Sequence, residues 1–211
     1  MTPELTVRSV NSLATTASNA GAFATEYFER VKRALDDIDV DRIAQIATVL
    51  DQARRDGRTI FVAGNGGSAT TATSMANDLG FDIVKKTGID LPFRFLAVTD
   101  NTAAITAIAN DVGYEDIFVN QIRIHYRPGD LLIVISASGN SPNAIRAAEW
   151  VKAAGGMVIA LLGFTGGMLM GLSDIVLHVP TEAGEYGPVE DAHLIVNHVL
   201  AHWFQARLSA S

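Results

Sequence analysis

Residues 131–143 read LLIVISASGNSPN, and this stretch decides the fold. The run Leu131–Ser136 is short, continuously apolar and free of the alternation that marks a half-solvated strand. Such a run fits a strand covered on both faces, which is the habit of parallel sheets. It passes straight into a loop of glycine and hydroxyl side chains, Ser136–Ser141, and then into a helical pattern reaching about Ala154.

Outward from there the same unit recurs. Towards the N-terminus, Thr59–Ala63 (TIFVA) leads into GNGGS and a helix to about Leu79, and Phe93–Val98 (FRFLAV) leads into helical segments from Asn101 to Tyr126. Towards the C-terminus come Met157–Leu162 (MVIALL) with a Gly-rich loop, Ile175–Val179 (IVLHV), and a long helix from about Val189 to Leu208. Five apolar strands separated by helices predict an α/β, three-layer doubly wound sandwich on a mostly parallel five-stranded sheet, with right-handed crossovers. Before the first strand, Phe23, Tyr27, Val31 and Leu35 recur every four residues, and Ile43, Ile46, Ala47 and Leu50 mark a second helix over 41–55 that Gly57 stops. The expected organisation is an N-terminal helical arm over 1–57, frayed over its first 20 residues, and an α/β unit over 58–211, together one compact domain.

Composition narrows the chemistry. The chain has 211 residues and no cysteine, which excludes disulfides, Cys-based zinc and a thiol nucleophile. With 16 Lys+Arg against 23 Asp+Glu, the net charge of −7 argues against a nucleic-acid partner, since neutralising phosphates takes clustered cations. No apolar run approaches the ~20 residues of a membrane-spanning helix. The first 21 residues lack the basic start and apolar block of a secretion signal, so a cytoplasmic location is expected.

Two loops carry the candidate chemistry: Gly64-Asn65-Gly66-Gly67-Ser68, and Ser136-Ala137-Ser138-Gly139-Asn140-Ser141. In an open parallel sheet, ligands bind beyond the carboxyl ends of the strands. Glycine admits a ligand close to the backbone, amides at a helix start attract an anion, and Ser hydroxyls donate to phosphate oxygens. One such loop reads as a capped turn; two at one sheet edge point to a phosphorylated small molecule. A nicotinamide-binding reading of Gly64–Ala69 as G-x-G-x-x-A is weaker, because no acidic residue ends the next strand before Asp100; no nucleotide cofactor is expected.

The chain resembles the SIS (sugar isomerase) domain family, and within it the phosphoheptose isomerases. The matching stretches are GNGGSA at 64–69, AND-GY at 109–114, RPGDLL at 127–132, S-SGNSPN at 136–143 and GG-M-GL-D at 166–174. The resemblance implies conversion of sedoheptulose 7-phosphate, a seven-carbon ketose phosphate, to an aldose phosphate through an enediol, in a homotetramer. It implies that Asn65, Gly66, Gly67 and Ser68 line the sugar-phosphate site and that Ser136, Ala137, Ser138 and Ser141 form the phosphate loop. It also places Asn110 and Asp111 on sugar hydroxyls, Glu190 at the substrate, and Asp78 and His198 in the acid–base roles. Two positions depart from the family pattern: Ser74 stands where a His is usual, and Asp78 where a Glu is usual.

Some family members bind zinc. Here Asp78, Glu190 and His198 are the remaining candidate ligands, with the hydroxyl of Ser74 a poor fourth. Glu190 and His198 would lie ~12 Å apart on a continuous helix, so they share a metal only if Glu190 precedes the helix or another subunit supplies it. His193 and His202 read as surface or interface residues, His125 and His178 as structural, and Trp150 and Trp203 as packing residues, within the chain or at a subunit contact. The acidic stretch TEAGEYGPVED (181–191) fits either a solvated helix start or a loop over the site. A non-catalytic member that binds a sugar phosphate as a signal, or docks another protein as one replication-initiator-binding relative does, is the competing expectation.

Overall fold

The structure, a computed structural model, describes residues 9–209. Its strands are β1 (Thr59–Gly64), β2 (Arg94–Ala97), β3 (Leu131–Ser136), β4 (Met157–Leu162) and β5 (Ile175–His178). They form one sheet in the order β2-β1-β3-β4-β5, with every neighbouring pair parallel. The helices are α1 (Val10–Thr16), α2 (Ala20–Asp36), α3 (Val40–Arg55), α4 (Gly67–Met75), α5 (Ile83–Thr87), α6 (Thr102–Asp111), α7 (Ile117–His125), α8 (Pro142–Ala153), α9 (Gly167–Leu172) and α10 (Tyr186–Leu208). A π-helical segment, Ala76–Asp82, joins α4 to α5, and a 3-10 turn, Tyr114–Asp116, precedes α7.

The central strand β3 is buried at every position, as its unbroken apolar run predicts. Its side chains divide between two cores by the strand period of two. Leu131, Ile133 and Ile135 pack with Ala34 of α2, Leu50 of α3, Met75 of α4 and Val196 of α10. Leu132 and Val134 pack with Phe118 of α7 and Ala147 of α8 on the opposite face. These two cores separate the three layers.

The sequence pattern and the structure differ at three places. Part of the stretch expected to fray is helix α1, whose Leu13 is buried; residues 1–8 of that stretch lie outside the described residues. Helix α2 starts at Ala20 and not near Ala22, where the apolar pattern suggests a start, because the Asn19 side chain accepts from Ala22 N at 3.0 Å and caps it. Helix α10 starts at Tyr186, about a turn earlier than its apolar pattern suggests, so Glu190 lies inside the helix.

The N-terminal helices close on their own sheet and hold the segment that enters α10. Arg30 donates to both carboxylate oxygens of Glu185, at 3.0 and 2.7 Å. The same carboxylate accepts from Val10 N at 2.8 Å and Glu182 N at 2.9 Å. Burial pulls the Glu185 carboxyl up, but the Arg30 hydrogen bond and the two amides outweigh it and hold the group below its ordinary value.

Candidate active site

Strand β1 pairs with β2 on one side and β3 on the other, so the chain reverses its direction of winding between β1 and β3. A crevice opens at the carboxyl ends of the strands at such a point. Both glycine–serine loops leave the sheet here, and a reciprocal amide pair joins them. Asn65 Nδ2 donates to Asn143 Oδ1 at 2.9 Å, and Asn143 Nδ2 donates back to Asn65 Oδ1 at 2.9 Å. Tyr114 Oη donates to Asn65 Oδ1 at 3.1 Å, which brings the segment after α6 to the same place. Asn110 and Asp111 are exposed at the end of α6, where Asn110 donates to Asp111 at 2.7 Å.

The β3 loop is shaped from within and braced from the side. Ser136 Oγ accepts from Gly139 N at 3.0 Å and Ser138 Oγ accepts from Asn140 N at 3.2 Å. Ser136 and Ala137 are buried, so they shape the loop, while Ser138 and Ser141 are partly open to a ligand. Gly139 has φ +65°, and a Cβ there would fall 1.9 Å from the Gly166 carbonyl oxygen; only glycine fits. Helix α9 docks on the loop through Met168 N to Asn140 Oδ1 at 3.0 Å and Leu169 N to Gly139 O at 3.1 Å. Across the crevice, Gly66 (φ 54°) turns the chain into α4, whose first amides, Gly67 and Ser68, have no partner within the helix.

Helix α10 lies parallel to the α4–π–α5 run and aligns three polar groups against it. Glu190 meets the start of α4 so closely that a Cβ on Gly67 would fall 2.2 Å from Glu190 Oε2. Burial, then the neighbouring Asp191, pushes the Glu190 carboxyl up. Asp191 accepts from Tyr27 Oη at 2.7 Å. Farther along, Asn197 Nδ2 donates to Asp78 Oδ2 at 2.7 Å, and His198 Nε2 lies 3.8 Å from that oxygen. The other oxygen of Asp78 accepts from Asn77 Nδ2 at 2.9 Å. Asp78 sits in the π-helical segment, a rare backbone form that recurs at functional sites.

The structure thus brings Asp78 and His198 together in one chain and leaves Glu190 apart. Because α10 is continuous from Tyr186, Glu190 and His198 are ~12 Å apart along it. Among the described residues no three His, Cys, Asp or Glu side chains converge as a metal set. With a hydroxyl at Ser74, the donors of a single chain do not fit zinc. His193 corrects the expectation of a surface or interface residue, since it is fully buried. Its Nε2 lies 3.3 Å from Leu162 O, and burial lowers its pKa to about 4, so the ring is neutral. Trp203 is about half exposed (52%) with the Arg207 guanidinium over its ring, whereas Trp150 stacks edge-on against Tyr126. Of the acidic stretch, Glu185 is fully buried and Glu190 faces the site.

Three site residues escaped the sequence reading. Asn143 and Tyr114 stand inside the motifs SGNSPN and AND-GY, and their polar side chains at the two loops were the available signal. Asn197 had a fainter one: with Glu190 and His193 it makes a polar stripe at helical spacing on an otherwise apolar helix face.

Comparison with known proteins gives the family of the chain. Residues 26–163 match the SIS domain family. The phosphoheptose isomerase of Chlorobaculum parvum is 33% identical over 183 residues, covering 86% of each chain. That of Rhodospirillum rubrum is 36% identical over 158 residues, 75% of this chain and 81% of the relative. Among solved structures, a phosphoheptose isomerase from Neisseria gonorrhoeae superposes with a TM-score of 0.76 at 31% identity, covering 87% of this chain and 96% of that one. With two linked glycine–serine loops at the switch point of a parallel sheet, and a family match across both, the chain belongs to the SIS domain family, and within it is similar to the phosphoheptose isomerases.

Proposed function

We propose that this protein is an aldose–ketose isomerase that converts sedoheptulose 7-phosphate to D-glycero-D-manno-heptose 7-phosphate. The observation that carries the reading is the Asp78 carboxylate, held 3.8 Å from His198 on the helical run that leaves the first of the two linked loops. The phosphate is taken by the partly open hydroxyls of Ser138 and Ser141 and by amides of the loops, while Asn65, Asn110 and Asp111 face the sugar chain. The net charge of −7 does not draw an anion in, so capture falls to these local donors.

The chemistry moves one proton between adjacent carbons. The Asp78 carboxylate takes a proton from C1 of the ketose while His198, in its imidazolium form, gives one to the C2 oxygen, leaving an enediol. His198 then removes the proton of the C1 hydroxyl, and the Asp78 carboxyl returns its proton to C2. The aldose forms with no net gain or loss of atoms or electrons. A zinc on Asp78, Glu190 and His198 would need donors from two chains, so no step is routed through a metal. The test is conversion of sedoheptulose 7-phosphate followed by NMR, with and without added zinc. A protein that leaves the sugar unchanged under both conditions overturns the reading.

A homotetramer in the cytoplasm completes the proposal. Its support is the apolar surface of α6, which buries no residue fully, and of α10, where Val199 and Trp203 are 46% and 52% exposed. No helix among the described residues is long and apolar enough to cross a membrane. Mass photometry reads the oligomeric state. A second reading, a binding protein without turnover, is favoured by Ser74 and by the shortened Asp78; calorimetric binding of the sugar phosphate with no conversion identifies it.

A further inference from the structure

Among the described residues, two buried side-chain atoms have no hydrogen-bond partner: His193 Nδ1 and Asn197 Oδ1. Both residues are fully buried, and they stand one turn apart on the same face of α10. Their chemistry matches. A carbonyl oxygen only accepts, so the contact of His193 Nε2 with Leu162 O puts the imidazole proton on Nε2 and leaves Nδ1 as a lone pair. Asn197 spends its Nδ2 on Asp78, which leaves its Oδ1 as an acceptor as well. Two acceptors cannot satisfy each other, yet one water donating both its protons satisfies both.

We propose that Asn197 is a positioning residue for Asp78, locked by a buried water that donates to Asn197 Oδ1 and His193 Nδ1. The proposal rests on the isomerase reading of the same site. A chain of hydrogen bonds then runs from the Leu162 carbonyl at the end of β4, through His193, the water and Asn197, to the carboxylate of Asp78. It addresses the shortened side chain directly. An Asp reaches one carbon less far than a Glu, and on a widened π-helical turn its carboxylate needs a fixed partner to face His198. Asn197 adjoins His198 in sequence, so one helix carries both the clamp and the acid–base partner, and their spacing is set by covalent geometry. The water makes the clamp directional: it occupies Oδ1, so the amide cannot flip and turn its oxygen on the carboxylate.

The test is kinetic and crystallographic. Wild-type turnover of sedoheptulose 7-phosphate is measured first; none sinks the isomerase reading and not the clamp. Given turnover, Asn197→Leu, which keeps size and removes the amide, is expected to lower kcat ~10–100-fold, the scale of a misplaced reacting group, while KM stays within about 3-fold because the phosphate loops are untouched. Asn197→Asp, which sets a second carboxylate on Asp78 in nearly the same shape, is expected to fall at least as far and serves if the Leu variant does not fold. His193→Leu removes one anchor of the water and is expected to cost less than Asn197→Leu. Folded Asn197 variants with wild-type kcat, or with KM and kcat lost together, overturn the proposal. A crystal structure of the wild-type protein is expected to show an ordered water within hydrogen-bond distance of both atoms. Clear density with no water between them also overturns it.

Discussion

Two carboxylates tied to the last helix have opposite fates. Glu185, at the entry to α10, is fully buried and saturated: a guanidinium holds both oxygens and two backbone amides add to it. Asp78, beside the middle of α10, is held by two neutral amides and keeps a face towards the exposed imidazole of His198. A carboxylate with every lone pair committed to strong charged donors is a poor base, because taking a proton breaks those bonds. One left with weak donors and an open side can accept one. The fold uses the first kind to fix where α10 begins, and the proposed function gives the second the role of base.

The largest effect expected from breaking this contrast is at Asp78. Asp78→Asn removes the proposed base and leaves the two glycine–serine loops untouched, so kcat should fall by about 1,000-fold, with sugar-phosphate binding retained by calorimetry. Arg30→Met tests the other carboxylate. It leaves Glu185 buried without its cation and should cost about 3 kcal/mol of stability in urea unfolding. The pH dependence has a definite sign. Because the folded-state value of Glu185 lies below the ordinary one, its stabilisation is present at neutral pH and is lost as the pH falls through and below the carboxylate range. Arg30→Met should therefore lose less on acidification than the wild type.

Smaller effects sharpen the position of Glu190, which lies between these extremes. Gly67→Ala puts a Cβ where the Glu190 carboxyl lies and should cost about 1 kcal/mol; in a Glu190→Ala background the cost should vanish, since alanine suits a helix better than glycine. Thermal melting of the four proteins reads this coupling. Glu190→Gln should raise stability by about 0.5 kcal/mol at neutral pH. Its carboxyl is raised in the folded state, so the ionised form is the penalised one, and the gain should fade as the pH drops through the carboxylate range.

Much of this was legible in the residue order, and unevenly so. The strands were, because continuous apolar runs such as Leu131–Ser136 have few alternatives once bounded by glycine and helix. The two loops were legible as well, because glycine and serine at a strand end have a local meaning. The start of α10 was not: Tyr186 and Gly187 are poor helix markers, and what places them is Glu185 held by Arg30, a contact across 155 residues. Nor was the burial of His193 and Asn197, since polar residues on a helix face read as solvated until the packing of α10 along α4 encloses them.

The sequence by itself determined the sheet, the order of its βα units and the chemical character of the two loops, because each depends on local periodicity and on residues whose conformational range is intrinsic. The tertiary structure alone decided which carboxylate is saturated with donors and which keeps an open side. That choice depends on how many donors reach each group from distant segments, and a count of donors exists only once the chain has closed around them.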